Sequence, residues 1–251
     1  SAARTPRARI MALAEIPGEW TSAVARWKVL NAPHLVLDGE MRAPSATFEY
    51  MLYQALLGAW DPDDASLLPR IQAYALKAAR EGKQETSWLN PHEPYEAGVK
   101  AFIARILDRS ASPEFLGALD TLAQRTALIG ALNSLSQITL KATMPGVPDF
   151  YQGTESWDLS LVDPDNRRPV DFAGREAMLA SLEAPDWKAL AESWRDGRLK
   201  FAWTRHLLRL RNEMAGVFTS GDYEPLAVSG PHRDHVVAFA RRHGREAVIV
   251  A

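Results

Sequence analysis

The 251-residue chain contains no cysteine, which excludes disulfides, thiolate nucleophiles and cysteine metal sites and agrees with a reducing compartment. It has no apolar run near the roughly 18 residues that a membrane-spanning helix needs. Its start lacks a signal peptide's succession of charge, apolar block and small cleavage residues. Neither sign of charge dominates: 29 Lys and Arg stand against 31 Asp and Glu, so no basic face for nucleic acid is expected. Glycine-rich phosphate loops are missing, and with them the usual signature of a nucleotide cofactor. His206, His232, His235 and His243 have no metal-ligand spacing with acidic partners, so no zinc site is expected. Together these absences predict a cytoplasmic protein with no cofactor, no metal, no membrane and no nucleic-acid partner.

What is present is concentrated between Met144 and Phe172. There the carboxylates Asp149, Glu155, Asp158, Asp163, Asp165 and Asp171 alternate with the aromatics Phe150, Tyr151 and Trp157 and with Gln152, Asn166, Arg167 and Arg168. Planar rings cover the apolar faces of a pyranose, while paired acceptors and donors match neighbouring hydroxyls. The palette is that of a sugar site. For Asp163 and Arg167, four residues apart, two readings stand side by side: hydrogen bonds to a glucose, or a salt bridge that shapes the turn at Pro164. Arg168 shares both. Tyr151, Gln152 and Glu155 line a pocket floor on one reading, and on the other Tyr151 is core. Trp157 is a stacking platform or, with Leu159 and Leu161 alternating beside it, a plug for the loop. Asp149 is read as an ion-pair partner at the rim. Trp88 and Tyr95 are read as packing residues at a helix start.

Most of the first 141 residues have helical periodicity. Phe48, Met51, Leu52, Ala55, Leu56 and Ala59 fall at helical spacings, and Asp61-Pro62-Asp63-Asp64 closes that element as a turn. Leu68, Ile71, Ala75, Ala78 and Ala79 mark a second helix. Asn90-Pro91-His92-Glu93 opens a third, with Asn90 as cap and Pro91 in the first helical position. Ser112-Pro113-Glu114 opens a fourth that runs to about Lys141, roughly 40 Å at 1.5 Å per residue. Val147 to Gln152 reads as one short buried strand followed by a polar loop. Helices return at 175–183, 185–194 and 199–214, where Arg205, Arg209 and Arg211 form a solvated charged face. From Tyr223 the pattern is β, with a hairpin turning at Arg242-His243-Gly244. A start at Ser1 in the run-up to a helix and a stop within E-A-V-I-V-A suggest a piece of a longer protein. A lone buried strand needs partners. Preceded by a helix and followed by a polar loop, it reads as one unit of a barrel, whose loops at that end carry ligand groups.

Pro145-Gly146-Val147-Pro148 with Phe150-Tyr151-Gln152-Gly153-Thr154-Glu155 resembles the eighth-strand region of the α-amylase superfamily of glycoside hydrolases. Trp157 to Asp171, W-D-L-S-L-V-D-P-D-N-R-R-P-V-D, is similar to its malto-oligosyltrehalose synthase family. So are Arg7-x-Arg9-Ile10 with Glu15-Ile16-Pro17 and Trp20, Tyr53-Gln54 with Leu57-Gly58-Ala59-Trp60, and Lys77-Ala78 with Arg80-Glu81. Thr86-Ser87-Trp88 with Asn90-Pro91, and Phe218 with Gly221-x-Tyr223 and Ala238-Phe239-Ala240-Arg241, complete an ordered set that spans nearly the whole chain. Gly82 and His92 depart from the family's commoner residues. The chain also has no His-Asp pair, whereas the family carries His-Asp-Thr on its seventh strand.

The resemblance implies a mainly α chain: a helical insertion, the last strand and helices of an amylase-type (β/α)8 barrel, and the start of an antiparallel β-domain. Residues 1–17 would follow the seventh strand, 18–112 form the insertion, 113–215 end the barrel and 216–251 open the β-domain. The implied reaction is intramolecular transglucosylation, in which a terminal α-1,4 link of a malto-oligosaccharide becomes the α,α-1,1 link of trehalose. A retaining site of this kind uses two carboxyl groups about 5 Å apart. The resemblance puts all catalytic carboxylates upstream, so no catalytic residue is assigned and the isolated chain is expected to be inactive. Substrate contacts would fall to Asp163, Arg167, Arg168, Tyr151, Gln152 and Glu155, and the partners would be a malto-oligosaccharide and the remainder of the barrel. The alternatives are a portion of an amylase or 4-α-glucanotransferase, or a non-catalytic helical binding or scaffolding module.

Overall fold

The computed structural model describes residues 5–163 and 165–251. Residues 1–4 of the first predicted segment, and the turn residue Pro164, lie outside the described residues. The architecture is mainly helical with two small antiparallel sheets, and the chain divides into two compact units.

Of the described residues, the first unit comprises 5–133, 158–163 and 165–169. It begins with α1 (Thr5–Met11), a 3-10 turn, and α2 (Pro17–Asn31), which starts on a proline whose missing N–H costs nothing at a helix start. β1 (Val36–Asp38) and β2 (Met41–Ala43) pair antiparallel across Gly39-Glu40, with Gly39 at φ +57°. Then follow α3 (Ala46–Ala59), α4 (Leu67–Gly82), α5 (Glu93–Ile106) and the start of α6 (Pro113–Thr143). The predicted helices are present, and α6 runs unbroken for 31 residues.

The core of this unit is built around Trp27, 1% exposed, whose ring meets Trp20, Tyr53 and Phe115 edge to face at 5.4–5.7 Å. Leu52, Leu56 and Leu57 of α3 and Val99, Phe102, Ile103 and Ile106 of α5 complete it. A methyl group on Gly98 would stand 2.7 Å from the Ala43 Cβ, so the ribbon lies directly against α5 at that glycine. Helix α5 starts at Glu93 rather than at Pro91. Asn90 is committed to a turn with Ser87, donating its N–H to the Ser87 hydroxyl at 3.0 Å while its carbonyl accepts from the Ser87 N–H at 3.2 Å, and the first helical turn forms beyond it.

Of the described residues, the second unit comprises 134–157 and 170–251. It holds the end of α6, α7 (Phe172–Ser181), α8 (Trp187–Glu192), α9 (Arg198–Glu213) and α10 (Ala215–Ser220). β3 (Asp222–Pro225), β4 (Phe239–His243) and β5 (Glu246–Val250) form a sheet in that order, with Tyr223 opposite Arg241 and Arg241 opposite Val248. Leu182, Leu190, Phe201 and Ala202 make one cluster, and Ile138, Ala142 and Leu207 make another against Phe150 and Trp203. Arg241 is buried. Its guanidinium donates to the carbonyls of Thr143, Phe218, Gly221 and Asp222, so one cation closes the ends of α6 and α10 onto β4. Asp171 caps α7 by accepting the Gly174 N–H at 2.9 Å. Asp171→Ala is expected to cost about 1 kcal/mol in urea denaturation, the usual worth of such a cap.

The strand expected at Val147 to Gln152 is not formed. Those residues pair with no sheet among the described residues, and Val147 is 97% exposed. No neighbouring strand is at hand to take the backbone groups. Instead the Lys141 ammonium donates to the Asp149 carbonyl at 2.7 Å and sits 4.4 Å above the Phe150 ring. Burial lowers the Lys141 pKa and the nearby Asp149 charge offsets part of that effect, so a charge attraction accompanies the contact through the carbonyl.

Candidate functional site

The segment from Met144 to Phe172 is shared between the units. Asp163, Arg167 and Arg168 fall in the first, and Tyr151, Gln152 and Glu155 in the second.

In the first unit the site starts from α4. Its buried stripe of Leu67, Ile71, Ala75 and Ala79 also contains Arg70, 8% exposed, and Lys77 lies two turns further along. Arg70 grips Asp165 with two parallel bonds, Nε to Oδ1 and Nη2 to Oδ2, both 2.9 Å. Such a fork-to-carboxylate pair is both strong and directional. Nη2 also donates to the Leu159 carbonyl at 2.7 Å, and Nη1 pairs with Asp64. Asp165 Oδ2 accepts the Leu161 N–H at 2.7 Å as well, while Leu161 itself is buried in the core. Burial opposes ionisation of Asp165, but the Arg70 and Leu161 bonds and the charges of Arg70 and Arg168 outweigh it. The carboxyl is held below its usual range.

The predicted pair lies on this base. Asp163 forms an ion pair with Arg167 within the loop, and Lys77 donates both to its carboxylate at 3.2 Å and to its carbonyl at 2.7 Å. The loop salt bridge is therefore present. It leaves the Arg167 side chain 76% exposed, with most of its donors open to solvent. Arg168 donates to the Asp165 carbonyl at 3.2 Å and lies 3.4 Å from its carboxylate. Arg70 and Lys77 were not legible as site residues; the available signal was a cation set within an apolar stripe.

In the second unit Tyr151 is 53% exposed, and Gln152 is exposed beside it. Glu155 accepts from Arg175 Nε at 3.2 Å, and the same guanidinium donates to the Gly153 carbonyl at 3.0 Å. Trp157 is the plug: its indole N–H donates to the Trp194 carbonyl at 2.6 Å, and its ring meets Trp194 edge to face. The fully buried Lys200 donates to the Ser156 carbonyl at 3.0 Å below it.

Away from the loop, Tyr95 is buried as expected, but Trp88 is 56% exposed. The Arg80 guanidinium covers one face of its ring at 4.9 Å and is held by a two-bond pair with Glu96, whose Oε1 also accepts from Thr86. Among the described residues no group of three His, Cys, Asp or Glu is placed to hold a metal ion, and no helix is long and apolar enough to cross a membrane.

No family model matches the chain. A candidate maltooligosyl trehalose synthase of Mycobacterium tuberculosis is 37% identical over 241 residues, which cover 94% of this chain and 28% of that protein. A crystal structure of maltooligosyl trehalose synthase superposes with a TM-score of 0.83 at 32% identity, covering 94% of this chain and 31% of that one. The maltooligosyltrehalose synthase of Arthrobacter ramosus gives 0.75 at 33% identity, covering 94% and 28%. The chain thus spans under a third of the length of the relatives it matches. Along nearly its whole length, this chain is homologous to a portion of maltooligosyl trehalose synthase.

Proposed function

We propose that the chain is the glucan-gripping C-terminal portion of a malto-oligosyltrehalose synthase. The complete enzyme would convert the reducing-end α-1,4 linkage of malto-oligosaccharides to α,α-1,1 without a diffusible cofactor, in the cytoplasm. Residues 113–215 would end its barrel, with 147–152 gaining strand partners from the remainder of that barrel. The observation that carries this reading is the loop itself. It is anchored from beneath through Asp165 and Asp163 yet presents the Arg167 fork to solvent, as a donor set for neighbouring sugar hydroxyls should. Tyr151 and Gln152 would supply a ring face and an amide. Glu155 would act through Arg175, by holding the Gly153 turn.

Retaining chemistry needs a nucleophilic carboxylate and an acid/base carboxyl. We assign neither to this chain, which has no His-Asp pair. Its contribution is to hold the glucan and to wall off water from the freed glucose, so that the sugar's own anomeric hydroxyl attacks instead.

Calorimetric titration tests the reading. Maltohexaose should bind the chain while cellohexaose does not, and Arg167→Ala should weaken binding by about tenfold, the worth of one charge-assisted contact. The chain alone should yield no trehalose-capped product from maltohexaose; finding that product, or seeing no glucan binding, would sink the proposal. In the longer protein, reducing ends should disappear, whereas an amylase would create them.

A further inference from the structure

We infer that Arg70 and Lys77 of α4 are positioning residues for the glucan loop, setting the direction in which Arg167 points; the inference rests on the glucan-binding reading above. Arg167 reaches the rest of the unit through the Asp163 carboxylate, and Asp163 is fixed at two points by the Lys77 ammonium. Two residues on, Asp165 is fixed by both arms of Arg70, while a third bond from the same guanidinium holds the Leu159 carbonyl. The loop is thereby gripped through the Leu159 and Asp163 carbonyls and the Asp163 and Asp165 carboxylates by two side chains of one helix, lying on the same face two turns apart. A helix is a rigid bar at this length, so the spacing of the two cations fixes the tilt of the loop as well as its position.

Stability alone does not call for this arrangement. A buried ion pair is often matched or exceeded in stability by apolar residues of similar volume, but apolar contacts are not directional and would let the loop turn about its anchor. Two charge-assisted bonds from a planar fork and a second cation eleven or so ångströms along the helix, by its rise of 1.5 Å per residue, constrain orientation. A sugar hydroxyl pair needs that. Contact geometry loose by an ångström loses most of a directional bond.

Two kinds of variant separate positioning from stability, with maltohexaose affinity by calorimetry and the unfolding midpoint by circular dichroism as readouts. The double variant Arg70→Met with Asp165→Leu should stay folded at the assay temperature, with a midpoint above that of Asp165→Leu alone, yet bind maltohexaose about tenfold more weakly, a loss of the size of one charge-assisted bond. Lys77→Met, which removes a partly exposed cation and leaves the core untouched, should weaken binding in the same direction, and Lys77→Arg should restore most of it. Unchanged affinity in Lys77→Met, or in a folded double variant, would overturn the positioning role while leaving the glucan reading intact. Failure of the unsubstituted chain to bind maltohexaose would overturn both.

Discussion

Arg241→Met is expected to lower the stability of the second unit by about 3–5 kcal/mol, the cost of leaving several buried carbonyls without a donor. The side chain is 2% exposed, and its hydrogen bonds run to the carbonyls of Thr143, Phe218, Gly221 and Asp222 at 3.0–3.3 Å. Thr143 is the last residue of α6 and Phe218 lies in the last turn of α10, where helix carbonyls have no partner within the helix. Those carbonyls are also the negative ends of their helices, so a buried guanidinium is stabilised there by dipoles rather than by a carboxylate. Methionine keeps the apolar stem but strands the carbonyls, each of which costs about 1–3 kcal/mol if it stays dry. One term works the other way. The Arg211 guanidinium, which donates to the Ala142 carbonyl at 2.5 Å, loses a neighbouring like charge when Arg241 is removed. That relief is small beside the lost bonds. Urea unfolding followed by tryptophan fluorescence should show the drop, with Arg241→Lys intermediate because an ammonium has three donors and no planar fork. A loss below about 1 kcal/mol would mean that water reaches these carbonyls and that the closure is not dry.

Helices α3, α4 and α5 were legible because each buries an apolar face. In α3 the spacing of Phe48, Met51, Leu52, Ala55, Leu56 and Ala59 places the heavy side chains on a single face, and that face is the one buried. The β1–β2 ribbon was not anticipated, although Asp38-Gly39 is a hairpin signature; three-residue strands give too few alternations to stand out from a helical background. Val147 to Gln152 failed for the opposite reason. Its composition suits a strand, but strands are made by neighbours, and composition carries no information about those. In the loop, the Asp163 and Arg167 spacing pointed to a pair that is formed. What remained hidden was its anchorage: Arg70 is 95 residues from Asp165, and a cation in a helical stripe reads as solvent-facing until its partner is in view.

Asp165→Leu alone should be among the most damaging single changes in the first unit, while the same substitution combined with Arg70→Met should recover much of that loss, short of the native level because the Leu161 N–H and the Leu159 carbonyl lose their partners. In the single variant the Arg70 guanidinium keeps only Asp64 and the Leu159 carbonyl, and the Leu161 N–H loses its acceptor. A buried charge that loses its main partner costs about 3–5 kcal/mol, and removing both partners lifts that charge penalty but not the cost of the unpaired Leu161 N–H and Leu159 carbonyl. The coupling between the two sites, measured by urea unfolding in a double-mutant cycle, should therefore be several kcal/mol and favourable in the native pair. Acid provides an independent reading. The folded Asp165 carboxyl titrates below its usual range, so its stabilising contribution is complete above the ordinary carboxylate pKa of about 4 and fades as pH falls through the lower folded value. The native chain should lose stability over that interval more steeply than the double variant, which has no carboxylate there to protonate. Parallel acid limbs in the two proteins would show that the folded Asp165 carboxyl titrates as it does in the unfolded chain, so that its ionised form is not held by Arg70 and Leu161.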